Sequence, residues 1–340
     1  MDKSDQCALL RLLYHCSRRE IFLRLQQNSS WAPAARELTG YDKLEQDLGQ
    51  LADDIQVIDW YSPKFPQLLR EIPDPPVALF CQGTQLPPDL AWIGIVGARR
   101  ASRTGLNFAH HLAEDLSAVG MPIISGLAYG IDAAAHRGAL SAGGLTSAVL
   151  GGGHDHFYPK MHVSLGAEIV AAGGAILSEY PPSQGVRKHQ FPERNRIVSG
   201  LCVGIVVVEA GDKSGSLITA RLALEQGREV MAVPGSVNNP GAKGCHRLLK
   251  QGASMVTSAA DVVETLGLQA VIRKRTQLVV TGLSQNQQLI LDAMGYEEIL
   301  ADEVAHETKL TTQVVLSQLV QLELKGFVES GPHGYIRRSQ

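Results

Sequence analysis

Short apolar segments alternate with segments of helical periodicity over the middle of the chain, from about residue 91 to residue 267. A turn of small residues separates most apolar segments from the helical pattern that follows. This alternation predicts a parallel β-sheet with helices on both faces, and thus an α/β fold with right-handed crossovers. The predicted strands are 92–96, 122–125, 146–150, 175–178, 201–208, 229–233 and 254–256, and the predicted helices include 105–119, 128–142, 163–172 and 217–226.

The flanking segments have different patterns and predict two further domains. Residues 1–68 carry apolar residues at helical spacing, which predicts a small helical domain; we favour a packing role for it over the alternative of direct DNA contact. A proline-rich connection leads to a short strand at 77–81 and into the α/β domain, which we place at residues 72–267. A polar linker at 268–284 precedes residues 285–340, where three helical segments and a hairpin predict a winged-helix domain.

The stretch from His189 to Ala220 contains the clearest indication of a binding site. Its middle, Leu201–Val208, is a continuous apolar run that is typical of a strand buried on both faces of a parallel sheet. Two arginines around an asparagine precede this run. A turn rich in glycine and serine, residues 211–216, follows it and opens a helical pattern. The amides and the dipole at a helix start attract anions, so the stretch predicts an anion site.

Other predicted strands end in turns of the same kind, and the carboxyl ends of parallel strands lie at one edge of a sheet. The turn after the first strand has two arginines and a serine placed to cap the next helix. Later turns contain glycines, which allow a close approach of the backbone to a ligand. We therefore predict that this edge binds an anion through Arg99, Arg100, Ser102, Ser125, Gly126, Gly152, Lys160, Arg194, Asn195, Arg196, Ser214, Gly215 and Ser216.

The predicted cations lie along an edge and are more numerous than one small phosphate needs. They suit a chain of phosphates, as in a single strand of nucleic acid. Because phosphate contacts position a strand without reading its bases, the site predicts binding without sequence preference. The charge distribution gives weak support to a nucleic-acid site in this domain. The whole chain has a net charge of −3, whereas residues 91–250 hold 15 Lys and Arg against 11 Asp and Glu, a net charge of +4.

Two carboxylates near these turns could serve either catalysis or structure. Glu209 stands at the carboxyl end of a buried strand, where a catalytic carboxylate would stand. It could equally hold Arg194, Arg196 or the next turn in register, and we favour this role of structural brace. Asp132 is expected to cap a helix or to order a neighbouring loop.

Recognisable catalytic, cofactor and metal motifs are missing from the sequence. The turn after the first strand lacks the GxGxxG and GxxxxGK[ST] spacings, and no serine stands in a GxSxG elbow. His154-Asp155-His156 has no further Cys or His cluster beside it, so we predict no metal. The five cysteines are far apart, and neither a signal core nor a membrane-length apolar run is present. These features predict a cytoplasmic protein that needs no cofactor.

The winged-helix segment predicts contact with protein rather than with DNA. Residues 285–340 hold 4 Lys and Arg against 8 Asp and Glu, and the third helix consists largely of Thr, Gln, Val and Leu. A winged helix that reads DNA needs cations to neutralise phosphates. This segment largely lacks them.

Seven ordered motifs stand out in the α/β domain: VGARRAS (Val96–Ser102), SGLAYGIDAAAH (Ser125–His136), AVLGGG…YPK (Ala148–Lys160), SEYPP (Ser178–Pro182), FPERNRIVSGL (Phe191–Leu201), VVEAGDKSGSLITA (Val207–Ala220) and AVPGS (Ala232–Ser236). Together they resemble the motifs of the DprA/Smf family of DNA-processing proteins. The helical start and the winged-helix end agree with the longer members of that family. The resemblance therefore spans nearly the whole chain.

This resemblance implies an extended Rossmann-like fold with a SAM-like N-terminal domain, assembled as a homodimer. It also implies binding and protection of single-stranded DNA and loading of RecA, with displacement of single-strand-binding protein, in recombination and natural transformation (competence). The DNA contacts that it implies are Arg99, Lys160, Arg194 and Arg196. Ala98 stands where the family usually has Thr. His154-Asp155-His156 replaces a Leu-Asp-Val type stretch, which implies a local charge that depends on pH.

An enzyme is the alternative, either a nucleotide-binding protein or a hydrolase of nucleoside monophosphates from a related Rossmann family. The PGGxGTxxE signature of that family is missing, because residues 211–216 follow the fifth strand and Glu225 comes too late. A DNA-nicking role would need a metal-binding carboxylate cluster, which the sequence does not offer. We therefore predict a binding protein that is not an enzyme.

Overall fold

The computed structural model describes residues 3–28, 30–35, 38, 47–49, 51, 54–87, 90–268, 283–294, 298–331 and 334–337. Two compact units are present, Met1–Val271 and Ile272–Gln340. Residues 269–282, which make up nearly all of the predicted linker, lie outside the described residues.

A nine-stranded sheet forms the centre of the first unit, with the strand order β1-β2-β6-β5-β4-β3-β7-β8-β9. The seven strands from β3 to β9 are parallel to their neighbours among themselves, whereas β1 and β2 are antiparallel additions at one edge. The strands are β1 (Ile55–Asp59), β2 (Ala78–Gly83), β3 (Ile93–Val96), β4 (Ile123–Ser125), β5 (Thr146–Val149), β6 (Ala175–Ser178), β7 (Gly204–Val207), β8 (Glu229–Ala232) and β9 (Ser254–Met255).

Helices cover both faces of this sheet and bury it in two large apolar clusters. The predicted α/β fold with a parallel sheet is confirmed. In chain order the helices of the first unit are α1 (Lys3–His15), α2 (Arg18–Asn28), α3 (Trp31–Ala34), α4 (Gln67–Arg70), α5 (Arg103–Ala118), α6 (Ile131–Ser141), α7 (Val163–Ala171), α8 (Gln190–Gly200), α9 (Gly215–Glu225), α10 (Lys243–Lys250) and α11 (Ala259–Thr265).

The order of the strands creates a switch point between β3 and β7. Successive strands proceed from β3 through β4, β5 and β6 in one direction, and the chain then returns to place β7 on the other side of β3. The loops after β3 and β7 therefore leave the sheet in opposite directions and open a crevice between them. In open α/β sheets this is where ligands bind.

Residues 1–68 were predicted to form a small helical domain; its helices are present, but strand β1 near its end was not predicted. Helices α1, α2 and α3 do pack together, on a cluster that includes Val77 and Ala78. Residues Ile55–Asp59, however, pair antiparallel with β2 and so belong to the sheet. The alternation of Ile55, Gln56 and Val57 is a strand signal, but one so short that it is easily missed beside long helical patterns.

The second unit has the predicted winged-helix plan. Helices α12 (Gln285–Ala293), α13 (Ala301–Thr308) and α14 (Thr312–Leu324) enclose an apolar cluster that includes Val315 and Leu319. Strands β10 (Val328–Ser330) and β11 (Tyr335–Arg337) form the antiparallel wing. Across the parts of both units that the structure describes, every helix is too short or too polar to cross a lipid bilayer.

Candidate nucleic-acid interface

A cleft of about 770 Å³ opens at the switch point, above the carboxyl ends of β3 and β7. The turn after β3, residues 97–100, forms one wall, and the turn after β7, residues 211–216, forms another. The first turns of helix α8 close a third side. The structure thus brings to one cleft the predicted residues Arg99, Arg100, Gly126, Arg194, Asn195, Ser214, Gly215 and Ser216.

Arg99 is exposed and lines this cleft, and an aromatic contact positions its guanidinium. Its guanidinium carbon lies 5.1 Å from the centre of the Phe191 ring, a cation–π contact between the β3 turn and helix α8. Arg100 beside it is also exposed. A guanidinium that stacks on an aromatic ring can still donate to a phosphate.

The turn after β7 begins helix α9 and presents backbone amides to the cleft. Ser214 is the N-cap of α9, and its hydroxyl oxygen accepts from the amide of Ser216 at 3.4 Å. The hydroxyls of these two serines lie 2.6 Å apart. The helix start therefore faces the cleft with its positive dipole end, as an anion site requires.

Glu209 is held by Ser102 and not by an arginine. Its Oε2 accepts from the Ser102 hydroxyl at 2.7 Å and from the Ser102 amide at 3.1 Å. The carboxylate is buried between Gly105 and Gly241, where a Cβ atom on either glycine would lie 2.4 Å from a carboxylate oxygen. This contact joins the end of β7 to the start of α5. The Glu209 carboxylate therefore links two walls of the cleft.

Arg194 lies beneath the cleft rather than on its surface. Its side chain is buried, with its Nη1 donating to the carbonyl of Gly126 at 2.6 Å and also to that of Val149. Burial lowers the pKa of Arg194 to about 10, which the nearby Asp132 partly opposes. Arg194 therefore stays cationic at neutral pH and adds positive potential to the cleft while it fixes two loops.

Asp132 orders the loop that follows β4. Its Oδ2 accepts from the amide of Gly126 at 3.1 Å and from that of Ala128 at 3.3 Å. The adjoining Gly130 has a φ of +77°, and a Cβ on it would lie 2.2 Å from the carbonyl oxygen of Ala98. The loops after β3 and β4 thus touch through their backbones at the edge of the cleft.

Lys160 lies in a second recess beside the cleft, of about 560 Å³. Tyr158 lines both spaces and is 43% exposed, so it forms the passage between them. Lys160 itself is exposed. The predicted line of cations therefore runs from Arg99 across an aromatic residue to Lys160, along the edge of the sheet.

Four predicted residues do not face the cleft. Ser125 is buried and donates to the carbonyl of Ile95 at 2.6 Å, and Gly152 is buried against Val186. Ser102 caps helix α5 and donates to Glu209. Arg196 is 5% exposed and forms ion pairs with Glu179 and Asp74.

The structure also adds residues that the sequence analysis missed. Lys188 and Lys213 line the cleft and are exposed, and Phe191 supports Arg99. Lys213 stands within the 211–216 turn, so its position next to the serines was an available signal. Lys188 lies just ahead of helix α8, and only the return of that helix to the cleft brings it near.

The expected pH sensitivity of residues 154–156 is not supported at His154. Its ring is largely buried, and its Nε2 lies 3.1 Å from the carbonyl oxygen of Ile176. Burial lowers the pKa of His154, so this residue remains neutral near physiological pH.

Comparisons with known proteins match each of the two units. Residues 56–267 match the family model of DNA recombination-mediator protein A, and residues 278–334 match that of the DprA winged helix domain. The protein Smf of Escherichia coli (strain K12) is 41% identical over 278 residues, which cover 80% of this chain and 74% of that protein. The DNA processing protein DprA of Bacillus subtilis (strain 168) is 43% identical over 228 residues, covering 66% of this chain and 76% of that protein.

Solved structures agree with these matches. The X-ray structure of DNA processing protein A from Streptococcus pneumoniae has a TM-score of 0.66 and 33% identity, covering 78% of this chain and 98% of that one. A solved structure of DNA processing protein A from Helicobacter pylori, described for its single-stranded DNA binding mode, has a TM-score of 0.55 and 30% identity. The match covers 62% of this chain and 95% of that one. The chain belongs to the DNA recombination-mediator protein A family, also known as DprA/Smf.

Proposed function

We propose that this protein binds single-stranded DNA without sequence preference, through the cleft at the β3/β7 switch point and the recess that contains Lys160. The observation that carries the proposal is the row of cations along this edge. Arg99, Arg100, Lys188 and Lys213 line or border the cleft, and Lys160 continues the row. Contacts of this kind neutralise backbone phosphates and do not distinguish bases.

The aromatic residues in the row support a single strand over a duplex. Tyr158 offers an exposed ring between the two spaces, and bases stack on such rings only when they are unpaired. The relative from Helicobacter pylori, whose structure concerns single-stranded DNA binding, shares the fold of the core. Both points favour a strand that passes over Tyr158 with its phosphates held on either side.

We further propose that the protein acts as a recombination mediator. In this role it protects the strand, loads RecA onto it and displaces single-strand-binding protein, as a cytoplasmic homodimer during DNA uptake. The family membership and the motif resemblance support this part of the proposal. It predicts that the protein accelerates RecA filament formation on strands that are already covered with single-strand-binding protein.

Binding without catalysis is the role we propose for the cleft. Glu209 stands at the end of strand β7, and its carboxylate accepts hydrogen bonds from Ser102, which gives it a structural role. Replacement of Glu209 by Gln should lower the free energy of unfolding by about 1–3 kcal/mol, because a buried acceptor pair is disturbed. Release of free base from a nucleoside monophosphate by the unaltered protein, lost in Glu209→Gln, would favour a hydrolase instead.

The central test is the affinity for oligo-dT measured by fluorescence anisotropy. Arg99→Glu and Lys160→Glu should each abolish binding while circular dichroism shows a folded protein. Arg221→Glu is the matched control, because its side chain is exposed on helix α9 and pairs only with Glu225 at 3.6 Å among the ion pairs of the described residues. Unchanged affinity in both site variants would refute this site.

The nature of the ligand is tested with the same assay. Single-stranded oligonucleotides of different sequence should bind alike, and duplexes should bind more weakly. The logarithm of the affinity should fall linearly with the logarithm of the salt concentration, with a slope of about 0.7 for each phosphate neutralised on a single strand. Preference for duplex DNA, or a strong dependence on base sequence, would contradict the proposal.

A further inference from the structure

Four charged side chains from separate segments meet at Arg196, on a face of helix α8 that does not line the cleft. Arg196 of α8 donates from Nε to Asp74 at 3.0 Å and from Nη2 to Glu179. Arg18, at the start of helix α2, donates to the same two carboxylates, at 2.8 Å to Asp74 and at 3.2 Å to Glu179. We call Arg18, Asp74, Glu179 and Arg196 the charge cluster.

The charge cluster is buried at its centre. Glu179 is 6% exposed and Arg196 5% exposed, whereas Arg18 and Asp74 close the cluster from the solvent side. The two cations face three carboxylates, because Glu193 of α8 also lies 4.0 Å from Arg18. Burial lowers the pKa of Arg18, but Glu179 and Asp74 more than offset that effect, so its pKa is raised. Loss of one partner would leave a desolvated charge without compensation, which fixes the four groups together.

Helix α8 joins the charge cluster to the cleft. Phe191 and Arg194 lie one turn apart on the helix face that supports Arg99 and the loops after β4 and β5. Arg196 lies two residues further along, and an advance of two residues turns the side chain to the other face. A shift of α8 at the charge cluster would therefore move the residues that hold Arg99 in position.

From this arrangement we infer that Arg196 is a positioning residue for DNA binding and does not contact phosphate. Arg18 shares the task, so the N-terminal helices help to hold the cleft in its binding geometry through helix α8. This inference rests on the proposed function, since it concerns how the proposed single-stranded DNA site is held. It assigns a role in binding to the N-terminal helices, which pack together on a cluster that includes Val77 and Ala78.

The first experiment separates positioning from contact by the dependence of oligo-dT affinity on salt. Arg99→Gln removes a proposed phosphate contact, so its slope should fall by about 0.7. Arg196→Lys keeps the charge but loses the planar fork that reaches two carboxylates, and should weaken binding about tenfold with an unchanged slope. Arg18→Gln should weaken binding several-fold, also with an unchanged slope.

Arg24→Gln is the matched control for Arg18→Gln. Arg24 lies on the same helix α2, and its side chain pairs with Glu20 at 3.1 Å, one turn away on the surface. It makes the same change of charge without touching the charge cluster. Its affinity and slope should equal those of the unaltered protein.

The second experiment needs no DNA. Amide hydrogen exchange over residues 179–200 should be faster in Arg18→Gln and in Arg196→Lys than in the unaltered protein, and unchanged in Arg24→Gln. The same measurement is made on Arg196→Gln. This substitution removes a buried charge and risks unfolding the domain, which exchange over the whole domain would reveal.

The outcomes separate this inference from the proposed function. A fall in slope for Arg196→Gln similar to that of Arg99→Gln would overturn it, because Arg196 would then contact phosphate. Unchanged affinity and unchanged exchange in Arg18→Gln would overturn the role of the N-terminal helices, while the cleft would stand as the DNA site. Absence of oligo-dT binding by the unaltered protein would overturn the proposed function itself, before any substitution is made.

Discussion

The guanidinium of Arg99 stacks on the ring of Phe191, with 5.1 Å between the guanidinium carbon and the ring centre. The two residues come from different sides of the switch point, Arg99 from the turn after β3 and Phe191 from helix α8, which leads into β7. Phe191 is itself packed against Gly151, where a Cβ would lie 2.9 Å from the ring. Two loops and one helix at the edge of the sheet thus fix the position of one cation.

Replacement of Phe191 by Leu should weaken oligo-dT binding about threefold, because an exposed cation–π contact contributes roughly 0.5–1 kcal/mol. The salt slope should stay unchanged, since no charge is removed. Phe327→Leu is a suitable control, because its ring lies in the apolar cluster of the second unit, outside the proposed site. Affinity equal to that of the unaltered protein would show that the ring does not position Arg99. Anisotropy titrations over a salt series measure both quantities.

Gly130→Ala should destabilise the first unit by a few kcal/mol, because it combines a positive φ with a collision against the Ala98 carbonyl at 2.2 Å. Gly143→Ala offers a matched control: its φ is +64°, but nothing lies within 4 Å of the added Cβ. The free energy of unfolding of Gly143→Ala should fall only by the cost of the backbone conformation, roughly 1 kcal/mol. Urea denaturation gives the free energy of unfolding of both variants, and the difference between their losses is the cost of the collision. Equal losses would contradict the close approach of the two loops.

His136 should make stability fall as the pH is lowered from about 6.5 toward 3. Its Nδ1 donates to the Thr146 hydroxyl at 2.7 Å, because that hydroxyl donates onward to Ile123. The buried Nε2 has no hydrogen-bond partner among the residues that the structure describes. Burial, followed by the influence of His162, lowers the pKa of His136 to about 3. The unfolded chain therefore binds a proton in this interval that the folded chain does not.

The stability lost to His136 amounts to at most about 1.4 kcal/mol per pH unit. His136→Asn should have lower stability at neutral pH but a flatter decline below about pH 6.5, as measured by urea midpoints at a series of pH values. His156→Asn, at an exposed position, is the comparison. An undiminished decline in His136→Asn would assign the acid sensitivity to other groups.

Removal of residues 285–340 should leave the affinity for oligo-dT within a few-fold of that of the full chain. The proposed site lies wholly in the first compact unit, which ends at Val271. The removed segment holds 4 Lys and Arg against 8 Asp and Glu and would repel phosphate. A large loss of affinity, with the core still folded by circular dichroism, would place the winged helix on the DNA-binding surface.

The pattern of the chain predicted most of the core fold because that pattern is local. Buried strands such as β7 read as apolar runs, and the capping serines Ser102 and Ser214 mark helix starts. Strand β1 was missed, since five alternating residues carry too little signal beside helical neighbours. The run Leu201–Val208 was predicted too long: the strand is Gly204–Val207, because Leu201 caps helix α8. Apolarity alone does not distinguish a buried helix end from a buried strand.

The sequence by itself determined the fold class, the glycine- and serine-rich turns and the presence of many cations after the strands, since each depends on near neighbours. Only the tertiary structure decided which cations reach the cleft. Arg194 and Arg196 stand two residues apart and looked equivalent, but helix α8 turns one toward the loops beneath the cleft and the other toward Asp74 and Glu179. Asp74 and Glu179 are remote in the chain, and only folding brings them to Arg196.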